Sequence, residues 1–118
     1  MTDKQISLIW KKGIKVDGFD PSSFRKDACG AWIKRDEYGN HSSQYGWDVD
    51  HVYPKVLGGD DDVINLRPLQ WQNNLSKGDD FPYYFSAVSA QERNNVESVL
   101  QFKLNDDLFD ELKTKYNF

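Results

Sequence analysis

Apolar and polar positions recur along this chain with two different periods, and the changes of period mark its elements. Ile6, Ile9 and Trp10 repeat at helical spacing behind Thr2 and Gln5, a capping-box pair, and Gly13 offers a stop, which predicts a helix over about residues 3–12. Asp20–Pro21 reads as an N-cap with proline at the first helical position, opening one short turn through Phe24. Residues 31–35 are short enough for a strand, and the polar, glycine-containing stretch 36–46 reads as the loop that returns the chain to Trp47. Trp47, Val49 and His51 then alternate with Asp48 and Asp50 at the period of a strand. Pro54 and Gly58–Gly59 force an irregular loop, residues 64–67 form a second short strand, and a helix starts at Pro68 or Leu69 and runs to about Ser76. Beyond it the aromatic cluster 81–85 covers the core. Ser89 and Glu92 repeat the capping-box pattern and predict a helix through Val96, Val99 and Leu100. A last helix from near Asn105 puts Leu108, Phe109, Leu112 and Tyr116 on one face, with its acids early and Lys113 and Lys115 late, as the helix dipole favours.

At 118 residues the chain has the size of one domain, 1–118, and the mixture of elements makes it α+β. No apolar run approaches the roughly 20 residues of a membrane span. Nor does the N-terminus offer an apolar signal region, so a cytoplasmic location is expected. Cys29 is the only cysteine, which excludes an internal disulfide and a cysteine-bound structural zinc and reads as a small buried hydrophobe. A net charge of -4 argues against indiscriminate polyanion binding. Basic residues outnumber acidic ones only in residues 1–45, so a nucleic-acid footprint is expected to draw on Lys11, Lys12, Lys15, Arg25, Lys26, Lys34 and Arg35.

The chemistry concentrates in residues 46–79. A helix turns about 100° per residue, so Gln70, Asn74 and Lys77 share one sector and Trp71 and Leu75 another; the polar sector is expected to face a site and the apolar one the core. Asn73 lies off the centre of the polar sector, which favours Asn74 as the functional amide. Asp50 supplies a carboxylate and Asn74 a carboxamide oxygen, hard donors that suit Mg²⁺ or Mn²⁺. Taken singly, the first reads as a solvated strand carboxylate and the second as a helix-surface amide. His51 offers the best general base near neutral pH. As a strand neighbour of Asp50, however, its side chain leaves on the opposite side, so a shared site must wrap the strand or the strand must be distorted there. Asn65 can hold His51 through the backbone or the ring. Lys77 and Arg67 can reach a phosphate, the acidic run 60–62 reads as a solvated loop, and His41 as a surface residue.

Taken together, Asp50–His51, Pro54, Gly58–Gly59, Asn65–Leu66 and Asn74 followed by Lys77–Gly78–Asp79 resemble the HNH endonuclease signature, in the variant whose last histidine is replaced by asparagine. The resemblance covers Trp47 to Asp79. It implies a small ββα-metal core, a β-hairpin plus helix, with flanking N-terminal and C-terminal helices. It also implies one divalent cation, Mg²⁺ or Mn²⁺ with other divalent ions open, held by Asp50 and Asn74; His51 is then the general base that activates water and Asn65 the residue that orients it. The implied reaction is hydrolysis of phosphodiester bonds in DNA, with RNA open, leaving a 5'-phosphate and a 3'-hydroxyl. Lys77, Arg67, Arg25, Lys26, Lys34 and Arg35 are the expected phosphate contacts. Many members of that family hold a structural zinc with paired cysteines; this chain cannot, so Trp47, Trp71 and the flanking aromatics are expected to take over that task. The reading from a different class is a non-catalytic module on the same fold that binds nucleic acid or a protein partner drawn to the acidic C-terminal half.

Overall fold

The computed structural model describes all residues, Met1–Phe118, as an α+β arrangement of three α-helices and four separate antiparallel strand pairs. Helix α1 (Asp3–Trp10) starts where the capping box places it: Thr2 Oγ1 accepts from Gln5 N at 3.1 Å and Gln5 Oε1 accepts from Thr2 N at 2.9 Å. Its apolar stripe of Ile6, Ile9 and Trp10 joins Ile33, Trp47 and Leu66 in the main core, with the Trp10 and Trp47 rings 5.4 Å apart. Asp20 opens the expected short turn, its Oδ1 accepting from Ser22 N and its carbonyl from Ser23 N and Phe24 N, all at 2.9 Å, and the chain becomes extended from Phe24. Strand β1 (Phe24–Lys26) pairs with β2 (Trp32–Lys34), and Lys26 exchanges backbone hydrogen bonds with Ile14, which covers the outer edge of β1 at that point.

Strand β3 (Trp47–His51) pairs with β4 (Leu66–Gln70) in a register that sets Trp47 opposite Gln70 and Asp50 opposite Arg67. The second strand therefore runs three residues past its expected end, through Pro68, which a two-stranded pair tolerates on its outer edge. Helix α2 (Trp71–Lys77) begins later than predicted because its cap is Gln70, whose Oε1 accepts from Gln72 N at 2.7 Å and Asn73 N at 3.1 Å. Gln70 is thus a buried cap and not a surface residue of the polar sector, while Leu75, expected in the core, is 64% exposed.

The expected helix after Ser89 is absent. Strand β5 (Tyr83–Phe85) pairs with β8 (Gln101–Lys103), and β6 (Val88–Gln91) forms a hairpin with β7 (Asn94–Glu97), turning through Glu92 at φ 55. Tertiary bonds override the local capping pattern: Asn95 Oδ1 accepts from Trp32 N at 2.7 Å, Asn95 Nδ2 donates to Trp32 O at 2.9 Å, and Ser89 Oγ donates to Cys29 O at 3.2 Å. Helix α3 (Asp106–Tyr116) follows its prediction, capped by Asn105 Oδ1 accepting from Leu108 N at 2.9 Å. It lays Leu108, Phe109, Leu112 and Tyr116 over Val52, Tyr53, Ile64 and Phe81. No helix is long and apolar enough to cross a membrane.

A buried polar knot joins these pieces. Asp27 Oδ1 accepts from Cys29 N and Ala31 N, both at 2.9 Å, while Oδ2 accepts from Gln70 N at 2.9 Å and Asn73 Nδ2 at 3.0 Å. Asn73 also donates to Val88 O and accepts from Ala87 N and Val88 N. Burial pushes the Asp27 carboxyl up, and the hydrogen bonds from Asn73, Ala31, Gln70 and Cys29 pull against it. Trp47 does fill the core, but Trp71 lies half-buried with its ring 4.9 Å from that of His41. The work assigned to aromatics is therefore shared with Asp27, Gln70 and Asn73.

Candidate functional site

Where β3 gives way to its loop, Asp50, His51 and Asn74 come together around a cleft of about 340 Å³ that Lys55 and Asp79 also line. The strand ends at this point, so neighbouring residues of opposite orientation can both border the one cleft.

Asp50 is 3% exposed and lies between two cations. Arg67 Nε donates to its Oδ2 at 2.9 Å, and Lys77 Nζ stands 3.2 Å from its Oδ1 while donating to His51 O at 3.3 Å. Lys77 is itself 1% exposed. Its stem passes through the interior and its ammonium needs a buried counter-charge, which Asp50 provides. Burial alone would lower the Arg67 pKa, but the carboxylate of Asp50 and the Tyr84 hydroxyl outweigh it and hold the guanidinium above its ordinary value; the Tyr84 ring also lies 5.1 Å from Cζ. Arg67 Nη2 is buried without a partner.

His51 has a partner that its sequence context did not reveal. Its Nε2 lies 2.7 Å from Asp61 Oδ1, and that contact, with Lys55 beside it, holds the Asp61 carboxyl below the usual carboxylate range. A carboxylate can only accept, so Nε2 is the donor in this contact, and Nδ1 is the nitrogen that remains to take a proton when the ring is neutral. The run 60–62 is exposed, as expected of three consecutive acids in a loop, yet Asp61 reaches back to His51 from it. The missed signal is the Gly58–Gly59 pair ahead of it, which folds the loop back past the end of the strand. At Gly59 a Cβ would sit 1.8 Å from Tyr53 O, so only glycine lets the loop close.

Asn65 works through the backbone and not through the imidazole. Its Oδ1 accepts from Tyr53 N at 2.7 Å, and its Nδ2 donates to Tyr53 O at 3.0 Å and Asp60 O at 3.2 Å. Helix α3 clasps the same loop from outside. Tyr116 Oη donates to Asp60 Oδ1 at 2.5 Å, Lys115 Nζ lies 2.9 Å from Asp62 Oδ2, and the Tyr53 ring stacks on those of Tyr116 and Phe118 at 5.1 and 4.6 Å.

The oxygen donors at the cleft that could hold a hard divalent cation are those of Asp50 and Asn74. Two of the roughly four lone-pair positions of Asp50 are taken by Arg67 and Lys77, leaving others free. The half-buried Asn74 adds a carboxamide oxygen. No group of three or more His, Cys, Asp or Glu side chains is arranged around a metal position, so an ion held by Asp50 and Asn74 would have to take most of its ligands from water or phosphate.

The expected phosphate contacts divide into two groups. Arg25, Arg67 and Lys77 are buried and committed to internal acceptors, Arg25 donating to Pro21 O at 2.9 Å, Lys11 O at 3.2 Å and Gly13 O at 3.1 Å; this corrects their expected place on the surface. Lys26, Lys34 and Arg35 keep partial exposure. Burial foremost, then the neighbouring Asp27, pushes the Cys29 thiol up to about 12, which leaves it inert. His41 pairs with Asp48 at 2.8 Å. The chain matches no family model, no curated protein and no solved structure, so the reading of the site rests on its own geometry.

Proposed function

We propose that this chain is an HNH-type endonuclease that hydrolyses phosphodiester bonds in DNA with one divalent cation, Mg²⁺ or Mn²⁺. The observation behind this reading is the meeting of Asp50, His51 and Asn74 at one cleft. The sequence of β3, β4 and α2 supports a ββα-metal core beneath it. Asp50 and Asn74 would hold the cation, which when bound supplies Lewis-acid stabilisation of charge on the phosphoryl and leaving oxygens. His51 would take the proton of the attacking water on Nδ1, because Asp61 already accepts from Nε2. The imidazolium so formed gains from the adjacent Asp61 carboxylate. Asn65 keeps the loop, and with it Asp61, in register with the end of the strand. Arg67 and Lys77 hold the Asp50 carboxylate in place from the protein side.

The test is single-turnover cleavage of supercoiled plasmid in Mg²⁺, Mn²⁺ or EDTA. The parent should cut only with metal, and His51→Ala should lose about 10²- to 10⁴-fold in rate while keeping its DNA affinity in EDTA. A parent inert in both metals, or a His51→Ala variant cutting at the parental rate, would end this reading. The engagement of both Asp50 oxygens by cations favours one other reading, a non-catalytic nucleic-acid- or protein-binding module. That module would bind DNA or a protein and cut nothing in the same assay.

A further inference from the structure

Away from the cleft, Phe19, Phe24, Trp32 and Tyr45 wall a recess of about 150 Å³ with Arg93 at its edge. The rings meet at 4.7 to 6.3 Å but do not close over it, and Phe19, Phe24 and Tyr45 stay partly exposed. Two of the walls are pinned from outside: Trp32 Nε1 donates to Glu92 O and Tyr45 Oη to Arg93 O, both at 2.6 Å. The recess is well below the roughly 300 Å³ of a drug-sized site. It has room for one planar ring system.

The charge at the rim selects the kind of ring. Aromatic cages bind organic cations with ring faces left free for them. Here Lys26 Nζ already lies 4.8 Å from the Trp32 centroid and Lys34 Nζ 5.8 Å from that of Phe24, so one face of each of these two rings carries a cation of the protein itself and a further cation is repelled, while Phe19 and Tyr45 carry none. With Arg93 added, the rim suits a ligand that joins an aromatic ring to negative charge. Lys34 also stands 3.8 Å from Asp36, an exposed pair that a phosphate can displace.

We infer that the recess holds one unstacked base of a single-stranded stretch of nucleic acid, with Lys26, Lys34 and Arg93 on its neighbouring phosphates. The inference rests on the reading of the protein as one that acts on DNA, and it adds a second point of attachment that grips strand without cutting it. Base stacking on aromatic side chains is tolerant of sequence, so the recess would favour unpaired over paired DNA without choosing a sequence.

The test is made in EDTA, where cleavage plays no part. Fluorescein-labelled oligothymidine is compared with a strand of the same length and phosphate count whose sugars carry no bases. The parent should bind the thymidine strand about tenfold more tightly, and Phe19→Ala should erase that preference. Lys26→Gln with Lys34→Gln should weaken both strands alike. A second measurement needs no variant: 5-iododeoxyuridine in the strand should photo-crosslink to Trp32, Tyr45 or Phe24, read by peptide mass spectrometry. Equal affinity for the two strands, no binding of either, or crosslinks only elsewhere would overturn the inference. Plasmid cleavage lost in His51→Ala would still stand in that event, and a base preference without any cleavage would retain the recess while removing the nuclease.

Discussion

Asp50 has two roles to reconcile, since the carboxylate proposed as a metal ligand is also the counter-ion of Arg67 and Lys77. Removing it leaves two buried cations uncompensated. Asp50→Ala should therefore lose about 3–5 kcal/mol of stability as well as metal-stimulated cleavage, whereas Asn74→Ala should lose the cleavage and keep the parental denaturation midpoint. Urea titrations of the two variants beside the plasmid assay check this; equal midpoints for Asp50→Ala and parent would mean that the ion cluster contributes nothing. At His51 the comparison is with Asp61→Asn, which keeps an acceptor for Nε2 but removes its charge. It should slow single-turnover cleavage roughly ten- to hundredfold, a part of the 10²–10⁴ typical of a general base. Residues adjacent in order, such as Asp50–His51, were legible in the sequence. Asp61 and the burial of Lys77 were not, because both depend on where a loop and a helix end return in space.

Elements with a local cause were legible: α1 and α3 have side-chain caps and apolar stripes, and β3 has alternation in its sequence, although its burial departs from it at Asp50. The stretch after Ser89 misled because Ser89 and Glu92 mimic a capping box while Asn95 is bonded to both Trp32 backbone groups across the fold. The start of α2 was misplaced for a related reason, as the carboxamide of Gln70 caps in place of the commoner short side chains. The same helix sets up a contrast between its two asparagines. Asn73→Ala strips acceptors from Ala87 N and Val88 N and a donor from Asp27, at about 1–3 kcal/mol for each group left unpaired. It should thus destabilise the chain well beyond Asn74→Ala, as thermal melts would show. The clasp between α3 and the loop should respond to acid. Asp60, Asp61 and Asp62 are all held below the ordinary carboxylate value, first by the Tyr116 hydroxyl, His51 and Lys115 respectively. Groups depressed on folding contribute stability that is complete above the unfolded value, about 3.9, and is lost as pH falls through the lower folded values. Hydrogen exchange in residues 55–62 should accordingly rise as pH is taken below about 4. Tyr116→Phe should flatten that response by removing the donor to Asp60.

Across the whole molecule, burial removes Arg25, Arg67 and Lys77 from the surface, and only Arg25 of these belongs to the N-terminal third. Residues 1–45 therefore keep Lys4, Lys11, Lys12 and Lys15 exposed and Lys26, Lys34 and Arg35 partly exposed in a protein of net charge -4. Replacing Lys26, Lys34 and Arg35 together by glutamine should lower the slope of log affinity against log salt by about 0.9 on duplex, or about 0.7 on a single strand, for each phosphate no longer neutralised. The same change at Lys113, far along the chain, should leave the slope alone. Composition could locate the basic third but could not tell which of its members reach water, since burial is decided by partners such as Pro21 O and Gly13 O.

The clasp by α3 also has a consequence in time. A ribosome releases residues 50–77 before residues 106–118, so every side chain proposed for the chemistry exists while the loop that bears the partner of His51 is still untethered. Nascent chains stalled with about 104 residues outside the exit tunnel should be cut by protease within 55–62, and chains stalled after Phe118 has emerged should resist. Under the proposed function, competence would then arrive with α3 and not with Asn74, which would give the cell that makes this protein an interval before its own DNA meets a finished site.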